Sequence, residues 1–147
     1  MLLTWQLFSW EELTTEVLYT ILALRAEVFI VEQECAYLDT DGKDKEALHV
    51  CAFDKNQLIG YARVFLHESP CSIGRVLVKK ERRGKHIGQR LMEKCIALIP
   101  AEKEVFISAQ EHLKTFYESL GFTQSGTGYL EDGIPHIPLL LISRNAS

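Results

Sequence analysis

Between Lys79 and Lys85 the chain reads KKERRGK, followed directly by His86-Ile87-Gly88. Basic side chains, two glycines and the start of a helix coincide there, a combination suited to holding a phosphate-bearing ligand. Upstream lies an apolar strand, Arg75-Val76-Leu77-Val78. Downstream, Ile87, Leu91, Met92, Cys95, Ile96 and Ile99 form one apolar stripe of helical period. The first turn of such a helix directs free backbone N–H groups and a positive dipole end into the loop. Glycines let the main chain approach an anion, and flanking Arg and Lys complete a cradle. The window 79–85 carries +4 while the whole chain carries −4, so the other 140 residues hold −8. Without its flanks, a basic run in a connecting loop is more often solvated surface than a site.

A chain of 147 residues fits one domain and buries about two-thirds of its unfolded surface in one core. With 47% hydrophobic and 24% charged residues, the composition is that of an ordinary globular protein. No apolar run reaches the length of a membrane span. The N-terminal MLLTWQLFSWEEL lacks the basic region, apolar core and cleavage site of a leader, so a cytoplasmic location is expected. Cys35, Cys51, Cys71 and Cys95 are widely spaced with no CxxC pair, which implies reduced, mostly buried thiols and no zinc site. A pI near 5.7 argues against general nucleic-acid binding. Asp39-Thr40-Asp41-Gly42 places its glycine at the fourth position, where a calcium loop needs the sixth. Neither a P-loop nor a nucleophile elbow is present.

Alternating signals along the chain predict the elements that position the cradle. Leu3, Trp5 and Leu7 alternate as a first strand, and residues 14–31 carry helical period. Glu32 to Glu46 holds six acids against two lysines and reads as an exposed loop or short helical turn. His49–Asp54 and Leu58–Leu66, separated by Lys55-Asn56-Gln57, read as a hairpin. Further strands are expected at 72–78, 105–109, 122–129 and 137–143, with a short helix over 111–120 closed by Gly121. The order β, α, βββ, α, β, α, ββ predicts an α/β fold, a mixed sheet of six to seven strands flanked by helices. His49 and Cys51 share one strand face, a pairing more often core than catalytic.

These residues carry a resemblance. Val76-Leu77-Val78, then Arg83-Gly84-Lys85-His86-Ile87-Gly88, then Tyr117-Glu118-Ser119-Leu120-Gly121-Phe122 about thirty residues on, resemble the GNAT superfamily of N-acetyltransferases. Within it, RAEVFIVEQ at 25–33, DGKD at 41–44, Ser108-Ala109-Gln110 with His112, and YLEDGIPHI at 129–137 resemble the ElaA-like branch. The resemblance covers nearly the whole chain and implies a single GNAT domain over 1–147. One departure stands out: the loop pattern Q/R-x-x-G-x-G/A has His86 in place of its first glycine. Gly84 and Gly88 keep the rest of the loop permissive.

What the resemblance implies is acetyl transfer from acetyl-CoA to a primary amine by direct attack, with no metal. Val76, Leu77 and Val78 would contact the acetyl group and pantetheine arm through main-chain atoms. Arg83, Gly84, Lys85, His86, Ile87 and Gly88 would surround the pyrophosphate, and Tyr117 would meet the leaving thiolate. An alkyl amine is neutral only about once in a thousand molecules at pH 7.4, so presenting it costs about 4 kcal/mol and a base is expected. His136 and Glu32 are the candidates, with Glu131 and Asp132 as further carboxylates. Glu131-Asp132-Gly133 is also a good turn sequence whatever its chemistry, and Leu113, Phe116, Tyr117 and Leu120 form an ordinary core stripe. The acidic segment 32–46 hints at a cationic acceptor. An acyl-CoA-binding sensor or partner subunit without turnover is the alternative. The partners expected are a small-molecule or peptide amine, neither nucleic acid nor membrane, with a homodimer left open.

Overall fold

In the computed structural model, which describes residues 2–144, eight strands form one mixed sheet in the order β1-β2-β3-β4-β5-β8-β6, with β7 paired to β8. The strands are β1 Thr4–Phe8, β2 Leu48–Asp54, β3 Gln57–Phe65, β4 Cys71–Val78, β5 Val105–Gln110, β6 Thr123–Gln124, β7 Tyr129–Glu131 and β8 Ile134–Leu141. The helices are α1 Thr15–Arg25, α2 Ile87–Ala97 and α3 Lys114–Ser119. Every neighbouring pair is antiparallel except β4 and β5. Ile21 and Leu24 of α1 pack with Cys51, Leu58, Tyr61 and Leu77. Leu91, Met92 and Cys95 of α2 pack with Ala62, Val64 and Ile73. Between these two layers β3 is buried from Leu58 to Phe65, so it anchors the sheet.

Local chemistry explains the boundaries. Thr14 caps α1 by accepting a hydrogen bond from the Val17 N–H at 3.1 Å. The β2–β3 hairpin is tighter than the sequence suggests, turning on Lys55 and Asn56 alone, with Lys55 at φ 57°. The strand expected over 122–129 is two short strands, because Ser125-Gly126-Thr127-Gly128 interrupts it, which brings the count to eight. Gly121 takes φ 101° and ends α3, as its position foretold.

The helix expected over 14–31 changes character instead of ending. After Arg25 it widens into a π-helical stretch, Ala26–Glu32, from which Ile30 accepts the Cys35 N–H at 3.1 Å. The following segment is largely exposed and ends in a short helical turn, Asp44–Glu46, as expected, but two of its acids are not on the surface. Asp39 and Asp44 are buried, and three arginines hold them. Arg25, fully buried, binds Asp39 at 2.8 Å and Asp44 at 2.6 Å. Arg63 binds Asp41 at 2.5 Å and Asp44 at 3.0 Å, and Arg75 binds Asp39 at 2.8 Å. Burial alone would depress the Arg25 pKa; the hydrogen bond to Asp44 and the fields of the carboxylates overcome this and push it up. The same segment is tied to β2 by His49, whose Nε2–H donates to the Asp44 carbonyl at 2.8 Å while Nδ1 accepts the Tyr61 hydroxyl at 2.6 Å.

Arg25→Ala leaves Asp39 and Asp44 buried without their central partner and is expected to cost about 3–5 kcal/mol, read from urea denaturation. His49 is held neutral because burial lowers its pKa. A group that protonates more readily when unfolded withdraws stability as pH falls through its unfolded value. Folding free energy therefore declines below about pH 6.5, and His49→Gln flattens that part of the profile relative to wild type.

Candidate active site

β4 and β5 run parallel for only two residue pairs, Cys71 with Val105 and Ser72 with Phe106. Beyond them the strands part, and a cleft of about 510 Å³ opens between Val76–Val78 on one wall and Ile107–Gln110 on the other. An extra residue in β4 shapes this opening. Arg63 faces Gly74 and Tyr61 faces Leu77, so Ala62 opposes both Arg75 and Val76, and Arg75 takes φ 50°. The inner edge of β4 past Ser72 thus presents main-chain groups to the cleft instead of to a neighbouring strand.

At one end of the cleft stands the N-terminus of α2. His86, Ile87, Gly88 and Gln89 line it, and no side chain caps the helix. Gly84 has φ 83° with nothing within 4 Å of a built Cβ, whereas a Cβ on Gly88 would touch the Phe116 ring at 3.6 Å. His86 adopts φ 60° and ψ 18°, the left-handed conformation that suits glycine. The substitution in the loop pattern therefore keeps a glycine-like backbone and leaves an exposed imidazole. Arg83 is already engaged: Nε donates to the Val78 carbonyl at 3.0 Å, and its two terminal nitrogens meet Glu32 at 2.5 and 2.9 Å. The hydrogen bond from Arg83 holds the Glu32 carboxyl below its usual range, which makes Glu32 a weak proton acceptor. Lys85 is exposed and does not line the cleft.

Tyr117, 4% exposed, reaches the cleft floor from α3 with its ring edge-on to Phe116 and Phe122 at 5.0 and 6.0 Å. No group among the described residues hydrogen-bonds its hydroxyl. Burial, with a smaller contribution from Cys95, pushes its phenol pKa up, so it is a proton-bearing donor.

The other end is built by the β7–β8 hairpin, whose turn is Asp132-Gly133 with φ 51° and 79°. His136 lies inside β8 and not in a loop before it. Its Nδ1 meets the Ile134 carbonyl at 2.7 Å; because a carbonyl only accepts, Nδ1 carries a proton, so in the neutral ring the lone pair is on Nε2. The Tyr129 ring stacks on the imidazole at 6.3 Å, and the Tyr129 hydroxyl bonds Ser108 Oγ. Glu131 Oε2 lies 3.5 Å from His136 Nε2, and Oε1 lies 3.5 Å from Ser108 Oγ. Two contacts join this hairpin end to the 32–46 segment: Cys35 Sγ donates to the Asp132 carbonyl at 3.3 Å, and Gln110 Nε2 donates to Gln33 Oε1 at 3.2 Å.

Of the residues singled out in the sequence, Val76–Val78, Arg83, Gly84, His86–Gly88, Tyr117, Glu32, Glu131, Asp132 and His136 all line one cleft. Sequence reasoning passed over Tyr129 and Ser108 as site residues, although both lie in stretches that carried the resemblance. It also passed over Arg75 and Tyr37, which stack at 5.5 Å beside the cleft. No cluster of His, Cys, Asp or Glu among the described residues could hold a metal ion, and no helix there is long and apolar enough to cross a membrane.

A splayed parallel strand pair, an uncapped helix end and a buried tyrosine in one cleft define a fold for acyl-CoA chemistry, and the chain belongs to the GNAT acetyltransferase family. A model described as "Acetyltransferase (GNAT) domain" matches residues 14–142. Within the family the chain is similar to protein ElaA of Escherichia coli K12, at 40% identity over 92% of this chain and 94% of that protein. The crystal structure of E. coli ElaA superposes with a TM-score of 0.89 and 38% identity, covering 95% of this chain and 99% of the other. An acyl-CoA N-acyltransferase from Pseudomonas aeruginosa follows at a TM-score of 0.85 and 38% identity, covering 93% and 98%.

His86→Gly relieves a left-handed cost of about 1–2 kcal/mol against an added backbone entropy of about 0.5–1 kcal/mol. The variant is expected to be stabilised by about 0.5 kcal/mol in denaturant titration.

Proposed function

We propose that this protein transfers the acetyl group of acetyl-CoA to a primary amine within a ternary complex. The observation that carries this is the cleft itself: an anion-receptive helix end and Tyr117 on one side of the β4–β5 opening, and an imidazole with a free lone pair on the other. The acyl-CoA N-acyltransferase description of the Pseudomonas neighbour supports the donor. The loop of Gly84, Lys85, His86, Ile87 and Gly88 receives the pyrophosphate through its main chain, and Arg83 joins it on exchanging partners. Val76, Leu77 and Val78 hold the pantetheine arm and acetyl carbonyl by backbone groups.

The amine enters as an ammonium and gives one proton to His136 Nε2. Its nitrogen then attacks the thioester carbon, the C–S bond breaks, and the second nitrogen proton leaves with the thiolate as free CoA thiol. Tyr117 donates a hydrogen bond to the thiolate. Full transfer from even an unperturbed phenol is uphill by about 2 kcal/mol, and burial raises that barrier. His136 serves as the base in preference to Glu32, whose carboxylate is occupied by Arg83.

Calorimetric titration with acetyl-CoA is expected to show micromolar binding that Gly84→Glu weakens at least tenfold. In steady-state assays with a panel of amines, Tyr117→Phe is expected to lower kcat about 10²-fold while acetyl-CoA affinity is unchanged. A protein that binds acetyl-CoA, turns over no amine and ignores Tyr117→Phe is a cofactor sensor instead.

A further inference from the structure

The charged groups lining the cleft are unevenly matched. Each arginine has a carboxylate: Arg75 has Asp39, Arg82 has Asp54 and Arg83 has Glu32. Four of the six acids in segment 32–46, namely Glu32, Asp39, Asp41 and Asp44, are thus consumed by arginines, so that segment no longer argues for a cationic acceptor. The imbalance lies elsewhere. Glu131 and Asp132 line the hairpin end of the cleft, and neither pairs with Lys or Arg among the described residues.

The corner around Glu131 has a definite hydrogen-bonding character. An alkylammonium brings three donors and no acceptor. Two acceptors converge here, the Glu131 carboxylate and, 3.5 Å from it, the Nε2 of a neutral His136; Ser108 Oγ donates to the other carboxylate oxygen at 3.5 Å and keeps a lone pair of its own. The hydroxyl of Tyr129, bonded to Ser108, fixes that oxygen, and the Tyr129 ring stacked on His136 fixes the imidazole plane. Ile134 lines the cleft beside them and gives an alkyl chain something apolar to lie against. A substrate carboxylate in the same corner would face two acids, neither of them paired with Lys or Arg among the described residues.

We infer that Glu131 is the specificity-determining residue of the acceptor site: it receives the ammonium group of a cationic alkylamine and holds it against His136 Nε2. The inference rests on the transferase reading above and names its acceptor class. Neutral alcohols and amines bearing a neighbouring carboxylate are excluded by the same arrangement.

The test is an NMR titration of the full chain with 1,4-diaminobutane, following the ring resonances of His136 in wild type and in Glu131→Gln. A saturable shift in wild type, at least tenfold weaker in the variant and absent with 1,4-butanediol, supports the assignment. Equal affinities in the two proteins, no shift with the diamine, or an equal shift with the diol overturns it. Glu131 is exposed, so the variant folds, and Glu131→Asp should recover part of the affinity. Acetyl-CoA titrated into the same samples separates the two claims. Diamine binding without acetyl-CoA binding sinks the transferase reading alone, whereas turnover of amines with an unchanged KM in Glu131→Gln sinks this one alone.

Discussion

Three guanidinium groups and three carboxylates neutralise one another on one flank of the sheet, and the acceptor half of the cleft hangs from them. Arg25 comes from the end of α1, Arg63 from β3 and Arg75 from the bulge in β4; Asp39, Asp41 and Asp44 come from one connecting segment. Such a segment has no sheet partners of its own, so its path is set by these contacts, by His49 on the Asp44 carbonyl, and by the ties of Glu32, Gln33 and Cys35 to the cleft. Buried ion pairs add little net stability relative to an apolar core, because desolvation offsets attraction, but leaving one charge alone is costly. Geometry is therefore what the network supplies. It specifies where Cys35 and Tyr37 lie, and so where the segment meets the hairpin of β7 and β8.

The two halves of the cleft use different chemistry for a physical reason. Phosphates and thioester carbonyls can be addressed by backbone groups, so the donor end of the proposed function leaves the side chains apolar: Leu77 and Ile87 are buried in the core, and Val76 and Val78 pack partly against it. An acceptor nitrogen has to lose a proton, which backbone cannot take. Side chains with lone pairs therefore gather at Ser108, Glu131 and His136. The π-helical stretch Ala26–Glu32 spans the two, since Val28 packs in the core cluster beneath α1 while Glu32 reaches Arg83.

Legibility in the sequence divided along the same line. The placing of Gly84, Gly88 and Tyr117 along one cleft was readable because glycines and helical stripes are local signals, although Leu113 of the 113–120 stripe is exposed and precedes α3. The arginine network was not, since partners separated by 14 to 36 residues leave no period to detect. Hence the segment 32–46 looked merely acidic. The π-widening escaped for another reason: seven residues are too few to separate its period from that of an α-helix. Two glycines in Ser125–Gly128 did mark the break between β6 and β7, and they were the available clue to placing Tyr129 beside His136.

The pairing of Arg83 with Glu32 makes the two walls of the cleft share one ion pair across its mouth. An anion arriving at Arg83 meets a rival already in place, and its affinity is reduced by whatever the internal carboxylate contributes. In the proposed function, a phosphate that took Arg83 would leave Glu32, and with it the end of the π-helical stretch Ala26–Glu32, without its tie to the loop before α2.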